Sequence, residues 1–591
     1  MDPDDLLAEL DPEQREVALA TRGPVCVLAG AGTGKTRAIT YRMAYAVATG
    51  VMRPAHVLAL TFTVRAAGEL RGRLRALGDR VPGAAVEAVR ASTFHSAALR
   101  QLTYFWPRFV GGRPPQVIDS KFSLVREVAR DLHIRADGAG LAEAITEIEW
   151  AKVCQLHPDS YLLAATTAGR SPSLGAESVT KLYAAYEQLR RDRQLIDFES
   201  VLELTAAILF AEPAAAREVR DAFRHFVVDE FQDVNPLQKL LLDAWLGGRD
   251  DLCVVGDPRQ TIYSFTGATP AYLRSFATDH PGAATVRLVR DYRSTPQVVN
   301  VANNLMRAGA GQAGTDGPDL VSQRPPGPEP SIDEYPDEAA ESAGAAARIR
   351  HLIALGVPPR EIAILVRINA QTERFEQALA DAGVAFTVRG GERFYDRAEV
   401  KQALVLLRGA ARAVSDGADA TAVPDSLPGA VRHVLASAGL TPVPPSGRGA
   451  TRERWESLAA IAALADDMLA ARPQASLADF AAEVARRAEY GHAPVADAVT
   501  LATMHAAKGL EWDAVVIPGL VEGMMPIVHA RTAQAVEEER RLLYVAVTRA
   551  REHLMLSWAP VRGGGGGPGA TGTRGRPPSR FVARIGQRRP A

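Results

Sequence analysis

Three cysteines in 591 residues, Cys26, Cys154 and Cys253, are too few and too widely spaced for a disulfide framework or a thiolate metal site. A reduced compartment suits such a chain. No apolar run is long enough to span a bilayer, and the N-terminus, Met1-Asp2-Pro3-Asp4-Asp5, is acidic where a secretory signal is basic. Excess charge is missing too: the formal net charge is -1, so any affinity for nucleic acid has to come from a local groove. Lysine is scarce, limited to Lys35, Lys121, Lys152, Lys181, Lys239, Lys401 and Lys508, and arginine carries nearly all the positive charge. Against that background Lys35 and Lys508 mark places where a compact point charge is wanted and a planar guanidinium would not serve. Hydrophobic content of 47% and charged content of 23% are those of a globular protein. The length predicts roughly three to five domains.

What the chain does have is Ala29-Gly30-Ala31-Gly32-Thr33-Gly34-Lys35-Thr36, set between the apolar run Val25-Cys26-Val27-Leu28 and Arg37-Ala38-Ile39-Thr40-Tyr41-Arg42. Strand, small-residue loop, Lys-Thr and helix form the phosphate-loop pattern. Its glycines let backbone N–H groups turn toward phosphate oxygens at a helix N-terminus, which favours anions. In such a loop Lys35 reaches the β- and γ-phosphates and the Thr36 hydroxyl holds Mg²⁺. Ala29 stands where the pattern has its first glycine. The bland alternative is a chance glycine-rich turn.

Asp11 is placed to cap a helix that Pro12 opens, and Gln14 on that helix either offers its amide to an adenine edge or is an ordinary solvated residue. Val57 to Thr63 predicts a strand, Ala66 to Leu77 a helix, and Ser92-Thr93-Phe94-His95 the end of a third strand. That alternation points to a parallel α/β sheet, which residues 101–195 interrupt with a mainly helical segment. The pattern returns in Phe226-Val227-Val228-Asp229-Glu230-Phe231-Gln232-Asp233, an apolar strand ending in acids. Asp229 is suited to hold Mg²⁺ through water, and Glu230 to polarise an attacking water. A strand at Leu252 to Asp257 leads to Gln260, where a strand end meets a γ-phosphate, and then to Tyr263 and Phe265. These two aromatics share one face of an extended segment, and either stack on bases or belong to a core. A second α/β pattern begins at Ile332, with a strand at Ile362 to Val366 and a helix over 371–382 that Gly383 ends. It resumes at 499–503 and 514–517, after an alanine-rich helical stretch over 401–498 with a Pro/Gly break at 441–449. Residues 561–591, a glycine run followed by six arginines, predict a flexible linker and basic tail with or without a role.

Taken in order, Gln14, the 29–36 loop, Thr61-Phe62-Thr63, Asp229 to Asp233, Gly256-Asp257-Pro258-Arg259-Gln260, Asp291-Tyr292-Arg293-Ser294-Thr295, Thr503 to Trp512 and Glu537 to Ala550 resemble the motif series of UvrD/PcrA/Rep-type superfamily 1 DNA helicases. The resemblance covers residues 5–560 and is nearest to the actinobacterial second UvrD-type branch. That branch continues into a cysteine-rich segment and a helical HRDC module, so the expectation here is either a naturally shortened form or a truncated piece of a longer chain. The resemblance implies an α/β protein with two RecA-like parallel-sheet P-loop NTPase domains, each interrupted by a mainly helical insertion. Domain 1A is expected over 1–100 and 196–287, 1B over 101–195, 2A over 288–400 and 499–560, and a short 2B over 401–498.

The same resemblance implies ATP and Mg²⁺ as cofactors. Nucleotide contacts fall to Gln14, Ala29, Gly30, Ala31, Gly32, Thr33, Gly34, Lys35, Thr36, Arg37, Tyr292, Arg293, Glu511 and Arg549, and the metal to Thr36 and Asp229. Catalysis falls to Lys35, Asp229, Glu230, Gln260, Arg293 and Arg549, with Tyr292 stacking on the adenine opposite Gln14. DNA contacts fall to Thr61, Phe62, His95, Phe198, Tyr263, Phe265, Arg367, Asn369 and His505. The implied partners are single-stranded DNA and single/double-strand junctions, with a repair protein as a further candidate and no membrane; monomer and dimer both stay open. The implied location is the bacterial cytoplasm, at the nucleoid. Besides Ala29, positions that depart from the family include Asp291 for Asn, Phe265 for Trp, Thr266 for Arg and Trp512 for Phe. In addition, Trp558-Ala559-Pro560-Val561-Arg562 runs into glycines where relatives offer a strand-separating aromatic. The expected activity is ATP-driven 3′→5′ helicase and translocase action on single-stranded DNA in repair or replication maintenance. The alternative is a translocase that displaces proteins and unwinds poorly alone. An ATP-controlled clamp conflicts with the full catalytic set, and an RNA helicase with the motif series.

Overall fold

The computed structural model describes residues 3–81, 85–307, 317, 319–389, 395, 398–415, 426–442, 450–490, 497–561 and 575–585. They form two compact units, one of residues 1–292 with 314–321, the other of 293–313 with 322–591.

The first unit is built on a six-stranded sheet: β1 (Val25–Ala29), β2 (Val57–Thr61), β3 (Arg90–Thr93), β4 (His225–Val228), β5 (Leu252–Gly256) and β6 (Ala284–Leu288), in the spatial order β3-β2-β4-β5-β1-β6. Every pairing is parallel. Alternate side chains feed two separate cores. Cys26, Leu58, Leu60, Phe226, Val228 and Val254 face one layer, while Val25, Val27, Ala59, Val227, Cys253 and Val286 face the other. Burial on both faces is why these strands read as unbroken apolar runs. It also sends Cys26 and Cys253, on neighbouring strands, into opposite layers.

Helix α1 (Lys35–Ala48) follows the loop after β1 directly. Between β3 and β4 the chain makes a helical excursion with its own apolar core, centred on Val125, Ile148, Tyr161, Leu182 and Tyr186. Its long elements include α2 (Gly138–Val153), capped by Asp137, and the return to the sheet runs through α3 (Phe198–Ala211), capped by Asp197. A two-residue parallel pair, Gln116–Val117 with Leu195–Ile196, ties the ends of the excursion together and has no signature in the sequence.

The second unit repeats the theme with β7 (Ser331–Glu334), β8 (Ile362–Val366), β9 (Phe386–Arg389), β10 (Val499–Thr503), β11 (Trp512–Ile517) and β12 (Ala550–Trp558), ordered β7-β12-β11-β8-β10-β9 and again wholly parallel. Helix α4 (Ala533–Val547) leads into β12, with Thr532 as its N-cap. Helices at 398–415, 427–436, 450–471 and 477–490 pack around Leu407, Val431, Ile461 and Val484 in a core of their own.

The compact units divide after Tyr292, where the expected boundary lay at 287/288; β6 pairs with β1 in the first sheet, and the Arg290–Asp291 segment belongs to a separate two-stranded sheet. The tail is also not uniformly a linker: Gly575 to Ile585 lie against the second unit. Ser579 N–H donates to the Leu520 carbonyl (2.8 Å), and Phe581 is fully buried with the Arg540 guanidinium 4.9 Å over its ring. Glycine and arginine dominate the tail's composition and conceal the apolar anchor at Phe581-Val582. Most of the expected break at 441–449, and the glycine run, lie outside the described residues. Among the described residues no helix is long and apolar enough to cross a membrane.

Candidate nucleotide and DNA site

The loop after β1 lies at the carboxyl edge of the parallel sheet, the edge at which such sheets bind ligands. Ala29 is the last residue of the strand, buried and outside the left-handed region, so its position does not require glycine. Gly32 (φ +70°) and Gly34 (φ +75°) do require it. A Cβ at Gly32 would sit 2.6 Å from the Asp291 carboxylate, and one at Gly34 would sit 2.6 Å from Gln14 Nε2. Forcing a side chain into that geometry costs on the order of 1–3 kcal/mol, so Gly32→Ala is expected to raise the KM for ATP by about tenfold or more. An unchanged KM in steady-state ATPase assays would contradict the close fit of this loop.

Gln14 is buried rather than solvated. Its amide donates to the Thr33 carbonyl (3.1 Å), and its backbone N–H donates to the capping Asp11 (2.8 Å). Tyr292 is half-exposed, with its hydroxyl donating to the other Asp11 oxygen (2.6 Å) and its N–H to the Gly32 carbonyl (3.0 Å). The Arg37 guanidinium is turned to Glu9, donating to its carbonyl (3.0 Å), and lies 4.9 Å over the Tyr41 ring. Thr36 is half-buried in the first turn of α1.

The strand ends beside the loop supply the acids. Lys35 Nζ is 3.9 Å from Glu230 Oε1. Glu230 has a left-handed backbone (φ +52°), unusual for a residue with a side chain, and its N–H donates to the Asp229 carboxylate (2.9 Å). Gln232 Nε2 donates to Glu230, and Gln232 Oε1 accepts from the Asp257 N–H (3.0 Å). Gln260 Nε2 donates to the Asp257 carboxylate (2.7 Å). A continuous polar chain therefore runs Lys35–Glu230–Gln232–Asp257–Gln260 across the ends of β1, β4 and β5. Gln232, Asp257 and Asp291 carry no role in the sequence reading. Buried polar residues just past apolar strands were the available signal. Burial, and then the charge of Glu230, push the Asp229 carboxyl upward, a situation that a bound cation relieves. Thr36 and Asp229 are both oxygen donors, the chemistry that suits Mg²⁺.

On the same unit Phe62 (44% exposed) stacks on Tyr263 at 5.7 Å and 15°, and Tyr263 tilts against Phe265 (46% exposed) at 6.2 Å. Phe198 (49% exposed) meets His95 edge-on at 6.1 Å. The rings of Phe62, Phe265 and Phe198 are thus surface aromatics. Thr61 is buried, with its hydroxyl donating to the Thr63 carbonyl (3.0 Å).

In the second unit Arg293, Glu511 and Arg549 come together. Arg293 is paired with Glu511 and donates to the Thr548 carbonyl (3.2 Å). Arg549 is buried at the end of α4, donating to the carbonyls of Val545 (2.9 Å) and Leu510 (3.1 Å). Arg551 completes the cluster, donating to Glu511 (3.0 Å). Arg367 forks onto the buried Glu539 with bonds of 3.0 and 2.8 Å, beside half-buried His505; Asn369 is exposed in the following turn.

Burial holds both His95 and His505 down at about 4, well below the usual histidine range. A histidine depressed on folding contributes stability that is present above its unfolded pKa and is lost as pH falls toward the folded value. The melting temperature is therefore expected to fall between pH 6.5 and 4, and less steeply in a His95→Gln, His505→Gln double variant. Parallel melting curves for the two proteins would contradict this.

An all-parallel sheet that presents a phosphate loop, an acid pair and a glutamine at its carboxyl edge defines a P-loop nucleoside-triphosphatase of RecA-like fold. The UvrD/REP helicase N-terminal domain profile matches residues 10–281, and the UvrD-like helicase C-terminal domain profile matches residues 286–418 and 432–560. The chain belongs to the UvrD/REP family of ATP-dependent DNA helicases. It is 51% identical to the ATP-dependent DNA helicase UvrD2 of Mycobacterium tuberculosis, over 98% of this chain and 82% of that protein. It is 30% identical to UvrD1 of the same organism (99% and 86% covered) and 28% identical to PcrA of Bacillus subtilis strain 168 (98% and 86% covered).

Proposed function

We propose that this helicase couples ATP hydrolysis to 3′→5′ movement along single-stranded DNA and opens duplexes that carry a 3′ tail, in DNA repair or replication maintenance. The polar chain from Lys35 through Glu230 to Gln260 carries the reading, because it joins a phosphate-seeking cation, a carboxylate and a γ-phosphate sensor in one network. Phosphoryl transfer to water depends on positioning and charge neutralisation. The loop amides and Lys35 cradle the β- and γ-phosphates. Glu230 takes the proton of the attacking water, and Gln260 reads whether the γ-phosphate is in place. Thr36 and Asp229 would hold Mg²⁺, which would supply neutralising charge to the phosphates. Gln14 and Tyr292 take the adenine, and Arg293 and Arg549 supply guanidinium charge to the terminal phosphate. Single-stranded DNA lies on Thr61, Phe62, His95, Phe198, Tyr263 and Phe265 of the first unit, and on Arg367, Asn369 and His505 of the second. The proposed layout keeps 101–195 and 401–498 as helical insertions, 1B and 2B.

Base–aromatic stacking contributes about 1–3 kcal/mol per base and tolerates any sequence. Phe198→Ala and Phe265→Ala are each expected to weaken binding of oligo-dT by about 5- to 100-fold. Fluorescence anisotropy at fixed salt measures this, and an unchanged Kd for both would remove the stacking role. The test of polarity is single-turnover unwinding of a duplex with a 3′ tail against one with a 5′ tail. Equal rates, or preference for the 5′ tail, would refute the proposed direction.

A second reading has its own observation. No aromatic residue lies between Trp558 at the end of β12 and the docked Phe581. A translocase without a ring to split the junction moves along single strands, strips proteins from them and unwinds poorly unless a partner is added. Processive unwinding by the protein alone would exclude that reading.

A further inference from the structure

Two of the scarce lysines serve no motif and are nevertheless buried. Lys152 on α2 is held by Glu187 (2.6 Å), Asp197 (3.2 Å) and the Ser200 hydroxyl (3.0 Å). Lys121 is held by Glu149 of α2 (2.8 Å) and by Glu199 (2.9 Å). Asp197 and Glu199 are the residues on either side of Phe198, so the backbone flanking this exposed ring is tied on both sides to a buried ammonium group. Tyr186 adds a third tie, its hydroxyl donating to Asp197 (2.8 Å). A cleft of about 180 Å³, lined in part by Lys121, Glu149 and Asp197, lies against Phe198. Without these ties the ring has space to fall into.

The same helix fastens the other aromatic station. Arg170 forks onto Glu147 of α2 with bonds of 2.8–3.0 Å and lies 4.4 Å over the ring of Trp150, also on α2. Its remaining nitrogen donates to the Phe265 carbonyl at 3.4 Å. The turn that carries Phe265 is seated directly on the helix: a Cβ at Gly267 would come within 2.6 Å of Val153 Cγ1. Arg170 therefore brings a guanidinium to the turn in which Thr266 stands where the family carries arginine. Buried ion pairs are a weak source of stability compared with apolar packing of the same volume; a defined geometry is a better account of why they are kept here.

We propose that α2 is a positioning strut for the single-strand track, with Lys121 and Lys152 holding the Phe198 station and Arg170 holding the Phe265 station at a constant separation. The proposal rests on the reading of Phe198 and Phe265 as base-stacking rings. A translocase benefits from such a strut because stacking is strong only when a ring meets the base at the right spacing and tilt. These three side chains are positioning residues and do not touch DNA.

The test uses the full chain with Arg170→Gln, Arg170→Lys and Lys121→Met. The readouts are oligo-dT affinity, quenching of a 2-aminopurine base in the bound strand, and ATP turnover with and without DNA. Arg170→Gln and Lys121→Met are each expected to weaken oligo-dT binding on the order of fivefold and reduce the quenching, with DNA-free turnover unchanged. Adding Arg170→Gln to Phe265→Ala is expected to cost nothing further. Arg170→Lys keeps the charge beside Glu147 and loses the fork, so it gives the same DNA defect and serves if the glutamine variant folds poorly. Wild-type affinity in Arg170→Lys, or a fully additive loss in the double variant, overturns the strut. If Phe198→Ala and Phe265→Ala themselves leave affinity unchanged, the stacking reading fails first. If they weaken binding while the Arg170 and Lys121 variants do not, only the strut fails.

Discussion

Lys35→Ala is expected to reduce DNA-stimulated ATP turnover by about 10²–10³-fold, the scale seen when a preorganised donor to the developing transition-state charge is removed. Lys35 opens α1 straight after a loop bent by two left-handed glycines, so its ammonium is delivered to the carboxyl edge of the sheet with little freedom. There it stands 3.9 Å from Glu230, and its charge opposes the upward push on the Asp229 carboxyl. Its loss leaves two adjacent acids facing a triphosphate. Lys35→Arg is expected to restore little, because a rigid fork cannot take the place of a compact ammonium in a loop this closely walled. The side chain is not part of an apolar core, so the melting temperature should stay near wild type while nucleotide affinity falls. Turnover within tenfold of wild type in a coupled phosphate-release assay would remove Lys35 from the chemistry.

Glu230→Gln is expected to lower the hydrolysis rate by about 10²–10⁴-fold, the usual contribution of a positioned general base, with ATP binding retained. The substitution keeps the shape of the side chain and removes its basicity. Glu230 is held in a strained backbone conformation by its neighbours: its N–H on Asp229, the amide of Gln232 and the nearby ammonium of Lys35. Backbone strain of this kind persists only where the surroundings fix the conformation, as these contacts do at Glu230. Single-turnover hydrolysis gives the chemical rate, and titration with a fluorescent ATP analogue gives the binding. A variant that hydrolyses within twofold of wild type would transfer the base role to another residue. One that no longer binds nucleotide would point to a structural role for Glu230 instead.

The parts of this site that could be read in the sequence are contiguous. The loop at 29–36 declares itself because strand, glycines, lysine and helix follow one another, and Asp229-Glu230 because an apolar strand runs straight into two acids. The two wholly parallel sheets were also legible, since strands buried on both faces leave unbroken apolar runs between amphipathic helices. What stayed hidden depends on contacts between distant segments. Asp291 against Gly32, Gln232 bridging Glu230 to Asp257, and Lys152 under Asp197 have no local pattern. Scarcity alone marks all seven lysines equally, and only burial against distant acids distinguishes Lys121 and Lys152. The motif series makes Arg367 a candidate DNA contact, and in the structure its guanidinium is paired with Glu539. A motif records that an arginine is present and not what it is bonded to. The docking of Phe581 was masked by the glycines and arginines around it.

The central claim is that ATP hydrolysis drives directional movement along a single strand. It is tested most directly by stopped-flow translocation on oligo-dT of increasing length, labelled at one end. With the dye at the 5′ end, the account predicts a signal whose lag grows in proportion to length and vanishes in Lys35→Ala; with the dye at the 3′ end, it predicts a prompt decay. A lag that is independent of length, or one that grows only with the 3′ label, would contradict the account.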